Sequence, residues 1–261
     1  MKNYIYMYSL IDESKMDKFL VSVTSLKATL TPYTIAAIIP EHYTENTLKT
    51  LQAVGVSPIV VHNGTLYPYY RDLNIKQKEI FGMIDCGSLG YEKMMFVDYN
   101  VYFVKNVDEL FDKVGGTITY NPYKPNSDHV SLWVYTPIPY STQDLTANLP
   151  KGEITSARQW INSYYHISER AKVRLPIEYD INVFDMKDYL ENPLFNKSNM
   201  KVFDVYNDSI DILDIESLLP YDYRVQQLIY DYIQQYNLII GMYKQLYPEL
   251  LSGLSVKEKN F

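Results

Sequence analysis

Cysteine is nearly absent from this sequence, with Cys86 as the single one among 261 residues. One thiol cannot form an intramolecular disulfide, and it cannot build a zinc site that requires several cysteines. So low a cysteine content is typical of proteins in a reducing compartment. We therefore expect a cytoplasmic protein.

The sequence also lacks an excess of basic residues. It has 24 Lys and Arg against 31 Asp and Glu, which gives a net charge of −7, and the basic residues are scattered. Nucleic-acid binding depends on clustered basic side chains that neutralise backbone phosphates. Nucleic acid is therefore not an expected partner.

Long apolar runs are missing as well. No apolar segment reaches the roughly 18 residues that a membrane helix needs, so no membrane span is expected. The N-terminal run MKNYIYMYSL has no small-residue cleavage site, so no signal peptide is expected either. These absences predict a soluble intracellular protein.

Several catalytic signatures are absent too. The sequence has no Gly-rich phosphate loop, no Ser-His-Asp set and no pattern typical of a cysteine nucleophile. The histidines, His42, His62, His129 and His166, have no spacing typical of a metal site. We interpret them as surface or hydrogen-bonded polar residues.

Tyrosine is abundant, with 27 residues against 9 Phe and 2 Trp. Tyrosine fills a core with its ring and keeps a polar hydroxyl for hydrogen bonding, and we interpret most of these residues in that way. The alternative is a carbohydrate-binding face on which flat rings stack against sugars.

The first 112 residues alternate apolar strands with helical patterns. The predicted strands are YIYMYS (Tyr4 to Ser9), YTIAAIIP, SPIVVHN and KMMFVD. One predicted helix has an apolar stripe at three-and-four spacing, another starts at a Thr44 cap and stops at Gly55, and a third covers Lys76 to Asp85. The stripe consists of Met16, Phe19, Leu20, Val23, Leu26 and Leu30. Apolar strands separated by helices predict a mostly parallel sheet covered on both faces.

The remainder of the chain is less regular. We predict further strands in GGTITYNP, VSLWVYTP, INVFD and MKVFDVY, a helix in TSARQWINSYYHISERAK, and a long helix from Tyr223 to Tyr247. Residues 1–220 are interpreted as one α/β domain. Residues 221–261 are interpreted as a C-terminal helical element that packs on this domain or forms a homo-oligomer seam.

An acidic residue, Asp98, ends the predicted strand KMMFVD, and Asn100 follows it. Side chains two positions apart in an extended chain point to the same side. Carboxylate and amide oxygens are ligands for hard cations such as Mn²⁺ or Mg²⁺. The pattern therefore indicates a candidate cation site, and the alternative is an aspartate that only ends a strand and caps a turn.

The stretch YEKMMFVDYNVYFVKNVDELFD resembles the segment that carries the Asp-X-Asp motif in glycogenin-like retaining glycosyltransferases, glycosyltransferase family 8. The matching residues are Tyr91, Lys93, Asp98, Asn106, Asp108, Glu109, Leu110, Phe111 and Asp112. The first strand with its helix, and the stretch RLPIEYDIN, also resemble family elements. The resemblance covers about residues 4 to 183, and its central stretch is the specific part.

This resemblance implies a GT-A nucleotide-diphosphosugar transferase fold and a UDP-sugar donor bound with Mn²⁺ or Mg²⁺. It places the metal at Asp98 and Asn100, and a sugar is then transferred to an unknown glycan or protein acceptor with retention. The implied donor-binding residues are Ser9, Leu10, Ile11, Asp12, Lys78, Val97, Asp98, Tyr99, His129 and Arg158.

The sequence departs from the family pattern at five places. Asn100 stands where the family motif has its second aspartate, and Asp180 stands where an asparagine is usual. Ala157 and Arg158 stand where the family has an Asp-Gln pair, His129 replaces an Asn, and the late His-Phe-X-Gly-X-X-Lys-Pro-Trp segment is missing. Asp128 and Asp180 are the candidate acids that could take over catalysis, and Arg158 could contact the diphosphate. Two functions stay open: a metal-dependent glycosyltransferase, or a catalytically inactive relative that acts in protein–protein interaction.

Overall fold

The computed structural model describes residues 2–61, 86–113, 116–118, 130–136, 172–174, 176–179, 181–193, 195–206, 222–251 and 253–254. The strands are β1 (Tyr4–Ser9), β2 (Thr34–Pro40), β3 (Ser57–Val61), β4 (Lys93–Val97), β5 (Val101–Phe103), β6 (Gly116–Ile118), β7 (Leu132–Tyr135), β8 (Lys172–Arg174), β9 (Ile181–Asn182) and β10 (Val202–Asp204). The α-helices are α1 (Met16–Ala28), α2 (Glu45–Ala53), α3 (Met186–Glu191), α4 (Tyr223–Leu246) and α5 (Pro248–Leu251). Short 3-10 helices cover Glu13–Lys15, Cys86–Leu89, Asp108–Asp112, Ile177–Tyr179, Val183–Asp185 and Lys197–Asn199.

Seven strands form one mixed sheet in the order β3-β2-β1-β4-β7-β6-β8. Four of its six strand pairings are parallel and the two that involve β7 are antiparallel. The predicted α/β architecture with a mostly parallel sheet and flanking helices is therefore confirmed. The order also reverses direction at β1, because β2 and β3 lie on one side of β1 and β4 lies on the other.

The first βα unit forms where the apolar pattern predicts it. All six residues of β1 are buried, and Phe19, Leu20, Val23 and Leu26 on α1 are fully buried against the same core. The predicted stripe is wrong at its last residue. The helix ends at Ala28, and Leu30 has a φ of 61° and is 86% exposed.

Helix α2 begins and ends at the predicted signals. The Thr44 hydroxyl oxygen accepts a hydrogen bond from the Thr47 backbone N–H at 3.1 Å, which satisfies one of the free donors of the first turn. Gly55 follows the helix with a φ of 62°, a left-handed conformation that glycine adopts without a steric penalty.

A second, small sheet has the order β5-β10-β9. Strands β9 and β10 lie in the predicted strand segments INVFD and MKVFDVY, while the pairing of the three strands was not predicted. The strands have three, three and two residues. Strand β5 follows β4 after a short turn, and the Phe103 backbone N–H donates to the Ser25 hydroxyl oxygen of α1 at 3.0 Å. The small sheet is therefore attached to the first βα unit.

The 24-residue helix α4 packs on α1. The Tyr236 hydroxyl donates to the Asp17 carboxylate at 2.5 Å, and the hydroxyls of Tyr243 and Thr24 are 2.9 Å apart. Ile229, Ile233 and Ile240 complete its buried face. Within the described part of the chain, no helix combines the length and apolarity needed to cross a bilayer.

Candidate functional site at the carboxyl edge of the sheet

One row of polar residues lies at the carboxyl edge of the sheet, at the last position of β1, directly after β4 and directly before the antiparallel strand β7. Tyr8 of β1 pairs with Val97 of β4, and Val97 pairs with Leu132 of β7. The next positions along these ladders are Ser9, Asp98 and Ser131. Because β1 is the strand at which the sheet order reverses, this row lies where an open α/β sheet forms a crevice for ligands.

Asp98 and Asn100 form a hydrogen-bonded turn directly after β4. The Asp98 Oδ1 atom accepts from the backbone N–H of Asn100 and from its side-chain Nδ2, each at 2.7 Å. The Asp98 backbone N–H donates to the Ser131 carbonyl oxygen at 3.0 Å. Asp98 is half-buried and Asn100 is buried, so this turn fixes a carboxylate at the sheet edge with partial access to solvent.

The loop after β1 is anchored by its backbone and by one capping side chain. The Leu10 N–H donates to the Ile38 carbonyl oxygen at 2.8 Å, and Leu10 is buried. Asp12 accepts from the Ser14 N–H at 3.0 Å and so caps the following 3-10 helix. Ser9 is only 3% exposed, and among the described residues its hydroxyl oxygen has no hydrogen-bond partner.

A second buried carboxylate, Asp204, lies beside this row, and sequence reasoning missed it. Asp204 is 1% exposed, and its Oδ2 atom accepts from the Ser131 hydroxyl at 2.7 Å. The Val205 N–H donates to the Asn100 carbonyl oxygen at 3.1 Å, so the end of β10 contacts the Asp98–Asn100 turn. The available signal was the run VFD, in which an acidic residue ends an apolar strand as Asp98 does.

Tyr8 is fully buried and lies close to the Asp98 charge. Burial raises the pKa of the Tyr8 hydroxyl strongly, and the negative charge of Asp98 raises it further. The hydroxyls of Tyr8 and Ser22 are 3.0 Å apart. Tyr8 therefore stays protonated at neutral pH and acts as a structural group rather than as a base.

The geometry of Asp98 and Asn100 does not present the expected pair of oxygen ligands. The Asn100 amide nitrogen faces the carboxylate, so the amide oxygen points away from Asp98 Oδ1. The described residues also contain no group of three or more His, Cys, Asp and Glu side chains that could hold a metal ion. As arranged, these residues do not fit a cation chelate.

Five predicted site residues lie outside the described residues. They are Lys78, Asp128, His129, Arg158 and Asp180. The described part of the predicted site brings Ser9, Leu10, Val97 and Asp98 to one edge of the sheet, with Ile11, Asp12, Tyr99 and Asn100 in the two adjoining loops.

Most residues that match the glycosyltransferase motif have structural contacts away from this edge. Asp108 accepts hydrogen bonds from the Tyr6 hydroxyl at 2.5 Å, from the Thr31 hydroxyl at 2.8 Å and from the Asn106 amide. Lys93 donates to backbone carbonyl oxygens on both sides of Asp112. These hydrogen bonds give the matching residues of the central stretch a role in the fold. Asp98 differs from them because it lies at the carboxyl edge of the sheet.

Comparison with solved structures identifies glycosyltransferases of the same fold. The galactosyltransferase LgtC, solved in complex with donor and acceptor sugar analogs, is 9% identical with a TM-score of 0.59 over 90% of this chain and 95% of that one. The glycosyltransferase GlyE of Streptococcus pneumoniae is 10% identical with a TM-score of 0.57 over 94% of this chain and 64% of that one. The bifunctional glycosyltransferase WbbM is 10% identical with a TM-score of 0.57 over 90% of this chain and 49% of that one.

The comparisons with sequences find no such similarity. No protein-family model matches the chain, and no curated protein matches it. At 9 to 10% identity the structural likeness establishes a shared fold, of the GT-A-like α/β kind, and function has to be argued from the site.

Proposed function

We propose that this protein is a glycosyltransferase that binds a UDP-sugar at the carboxyl edge of its sheet and transfers the sugar to a glycan or protein acceptor. The observation that carries the proposal is the position of Asp98. It follows β4 at the point where the sheet order reverses, beside the loop that follows β1.

The charge of Asp98 limits which part of the donor it would contact. A carboxylate repels a diphosphate, since both are anions, but it accepts hydrogen bonds from hydroxyl groups. We therefore assign Asp98 to the hydroxyls of the ribose or the transferred sugar. The buried Ser9 hydroxyl, in the adjacent ladder position, would provide a second polar contact.

The expected Mn²⁺ or Mg²⁺ remains an expectation from the family resemblance, as does transfer with retention. A cation shared by Asp98 and Asn100 would require the Asn100 amide to turn its oxygen toward the carboxylate. We therefore propose that UDP binds without added metal. If a cation is shared by Asp98 and Asn100 instead, added Mn²⁺ will strengthen UDP binding.

Calorimetric titration with UDP, with and without Mn²⁺, tests the proposal. We expect Asp98→Asn to weaken UDP binding about 10- to 100-fold, because a hydrogen bond to a charged group contributes about 1.5–3 kcal/mol. This variant keeps an oxygen that can accept from the Asn100 N–H, so the turn is retained. The matched control is Asp112→Asn, which removes an exposed carboxylate paired with Lys2, and we expect it to leave UDP binding unchanged.

Absence of UDP binding at millimolar concentration, with or without Mn²⁺, would contradict the proposal. If the wild type and Asp98→Asn bind UDP equally well, Asp98 does not contact the donor, and the donor binds at another surface. Donor hydrolysis with UDP-sugars then measures turnover in any variant that binds.

A second candidate function is an inactive relative that acts through α4 in protein–protein interaction. Leu238, Met242 and Leu246 recur every fourth residue on the solvent side of α4 and are 67%, 41% and 61% exposed. The exposed residues of this helix are Tyr223, Gln227, Asp231, Gln234, Gln235, Leu238, Met242, Gln245 and Leu246, with one charge among them. Such a surface does not repel a copy of itself, so the partner we propose for it is a second copy of this chain.

Light scattering after size-exclusion chromatography tests this second function. We expect a dimer at micromolar concentration that Leu238→Glu converts to a monomer, because the added charge would be buried in the contact. Leu190→Glu, on the surface of α3 where Leu190 is 36% exposed, is the matched control and should leave the dimer intact. A monomeric wild type at high concentration would contradict the self-association.

A further inference from the structure

The Asp204 carboxylate is buried at the end of β10 and is not among the groups assigned to the donor. A buried carboxylate is costly unless neighbouring donors satisfy it. Asp204 accepts from the Ser131 hydroxyl at 2.7 Å and from the Tyr206 backbone N–H at 2.8 Å. Donors from two separate segments therefore hold this carboxylate in one orientation.

Ser131 connects this carboxylate to the candidate site. Its hydroxyl donates to Asp204, while its carbonyl oxygen accepts from the Asp98 N–H at 3.0 Å. Two hydrogen bonds through one residue thus separate the Asp204 side chain from the Asp98 backbone. A shift of Ser131 would therefore move the carbonyl oxygen that accepts from the Asp98 N–H.

The segment that follows Asp204 holds the other end of the same turn. The Val205 N–H donates to the Asn100 carbonyl oxygen at 3.1 Å. The Asn182 side chain in turn donates to the Tyr206 carbonyl oxygen at 2.8 Å, which fixes the segment to β9. The end of β10 therefore contacts the Asp98–Asn100 turn at Asn100 directly and at Asp98 through Ser131.

We propose that Asp204 is a positioning residue that sets the orientation of the Asp98 carboxylate for its ligand. The proposal rests on the proposed donor site at Asp98. The parallel ladder between β4 and β1 ends at Val97, so it does not fix the residue that follows. The hydrogen bonds through Ser131 and Val205 hold the turn where the ladder has ended, and Asp204 holds Ser131.

The Asp108 network offers a matched comparison within the same fold. Asp108 also accepts from a side-chain hydroxyl, that of Thr31, at 2.8 Å, and it also joins separate segments. It binds Tyr6 of β1 rather than any residue of the Ser9, Asp98 and Ser131 row. Ser131→Ala and Thr31→Val each remove one hydroxyl that donates to a carboxylate, and they differ in distance from the site.

The experiment measures UDP affinity by calorimetry and amide hydrogen exchange by NMR in four proteins: Ser131→Ala, Asp204→Asn, the double variant and Thr31→Val. We expect Ser131→Ala and Asp204→Asn each to weaken UDP binding about tenfold, with the double variant no weaker than the weaker single one. Thr31→Val should lower the thermal stability and keep wild-type affinity. Exchange at the Asp98 and Asn100 amides should accelerate in Ser131→Ala, while exchange at Tyr6 stays unchanged.

Two results would overturn the positioning role. The first is a folded Ser131→Ala variant that binds UDP as tightly as the wild type. The second is a Thr31→Val variant that loses as much UDP affinity as Ser131→Ala does. If the wild type does not bind UDP, the proposed donor site itself is contradicted. The exchange measurement needs no ligand, so unchanged Asp98 and Asn100 exchange in Ser131→Ala would refute the positioning role in that case too. Ser131→Ala keeps the hydrogen bond from the Tyr206 N–H to Asp204. This variant therefore still tests the positioning role if Asp204→Asn fails to fold.

Discussion

Three aspartates at strand or helix junctions show how position decides the role of one side-chain type. Asp108 joins the start of a 3-10 helix to Tyr6 and Thr31, so it supports the fold. Asp204 is buried between the two sheets, while Asp98 is half-buried at the sheet edge. Partial exposure at the edge is what makes Asp98 the candidate for ligand contact.

Asn100→Asp tests directly whether this edge can hold a cation. In the wild type the Asn100 amide donates to Asp98 Oδ1 at 2.7 Å. A second carboxylate at this distance loses that hydrogen bond and repels the first, so the variant should unfold at a lower temperature without metal. Two carboxylates bind Mn²⁺ better than one, so we expect Mn²⁺ affinity to rise at least about tenfold and the melting temperature to recover.

Thermal unfolding with and without Mn²⁺ measures both effects. Asp112→Ala serves as the control for altered surface charge, because Asp112 pairs with Lys2 away from the edge. If Asn100→Asp is destabilised and Mn²⁺ does not restore it, the edge does not chelate a cation even with two carboxylates, and the metal expectation is wrong.

At the scale of the helix, tyrosine hydroxyls join the elements of the core. Tyr236 and Tyr243 of α4 contact Asp17 and Thr24 of α1, and Tyr6 of β1 contacts Asp108. Each ring fills the core while its hydroxyl satisfies a polar group on a neighbouring element. These contacts support the core-filling interpretation for Tyr6, Tyr236 and Tyr243.

Helix α4 should carry an acid-sensitive cap. Asp222 accepts from the Arg224 N–H at 2.9 Å, and its carboxylate pairs with the Arg224 guanidinium. Hydrogen bonds from that side chain and from the backbone N–H lower the pKa of Asp222 to about 2. A lowered pKa in the folded state gives stability that is present above about pH 4 and is lost as the pH falls toward about 2.

Urea unfolding between about pH 2 and pH 6 checks this cap. Asp222→Asn keeps a capping oxygen and loses the charge, so its stability should approach that of the wild type as the pH falls below about 4. Asp222→Ala loses the cap as well and should be less stable than Asp222→Asn at each pH. A constant difference between wild type and Asp222→Asn would show that the ion pair contributes nothing to folding.

For the whole molecule, sequence patterns predict the strands at the start of the large sheet better than the pairings of the small sheet. Strands β1 to β4 are apolar runs of five to seven residues with cap or turn residues between them, so their pattern is visible. Strands β5, β9 and β10 have two or three residues and depend on pairing with distant segments. Local pattern cannot reveal such pairings.

The same limit explains which site residues could be predicted. Asp98 follows a long apolar strand, so the sequence marks it as a residue at a sheet edge. Asp204 follows a run of two apolar residues, and its proximity to Asp98 depends on how β10 pairs with β5. Its place beside Ser131 becomes visible once that pairing is known.

The low identity to LgtC and GlyE is compatible with a shared fold because buried pattern and capping, rather than particular residues, specify the sheet. The residues that resemble the family motif, such as Asn106 and Asp108, bond to each other, to Tyr6 of β1 and to Thr29 directly after α1. The resemblance at these residues therefore indicates a shared fold more directly than a shared activity. Activity depends on what the edge at Asp98 binds.

A crystal structure of the protein with UDP tests that central claim most directly. We predict UDP in the crevice beyond the carboxyl ends of β1 and β4, with a ribose hydroxyl within hydrogen-bonding distance of the Asp98 carboxylate. UDP bound elsewhere, or a crevice that stays empty at saturating UDP while Asp98 keeps its Asn100 contacts, would contradict the account.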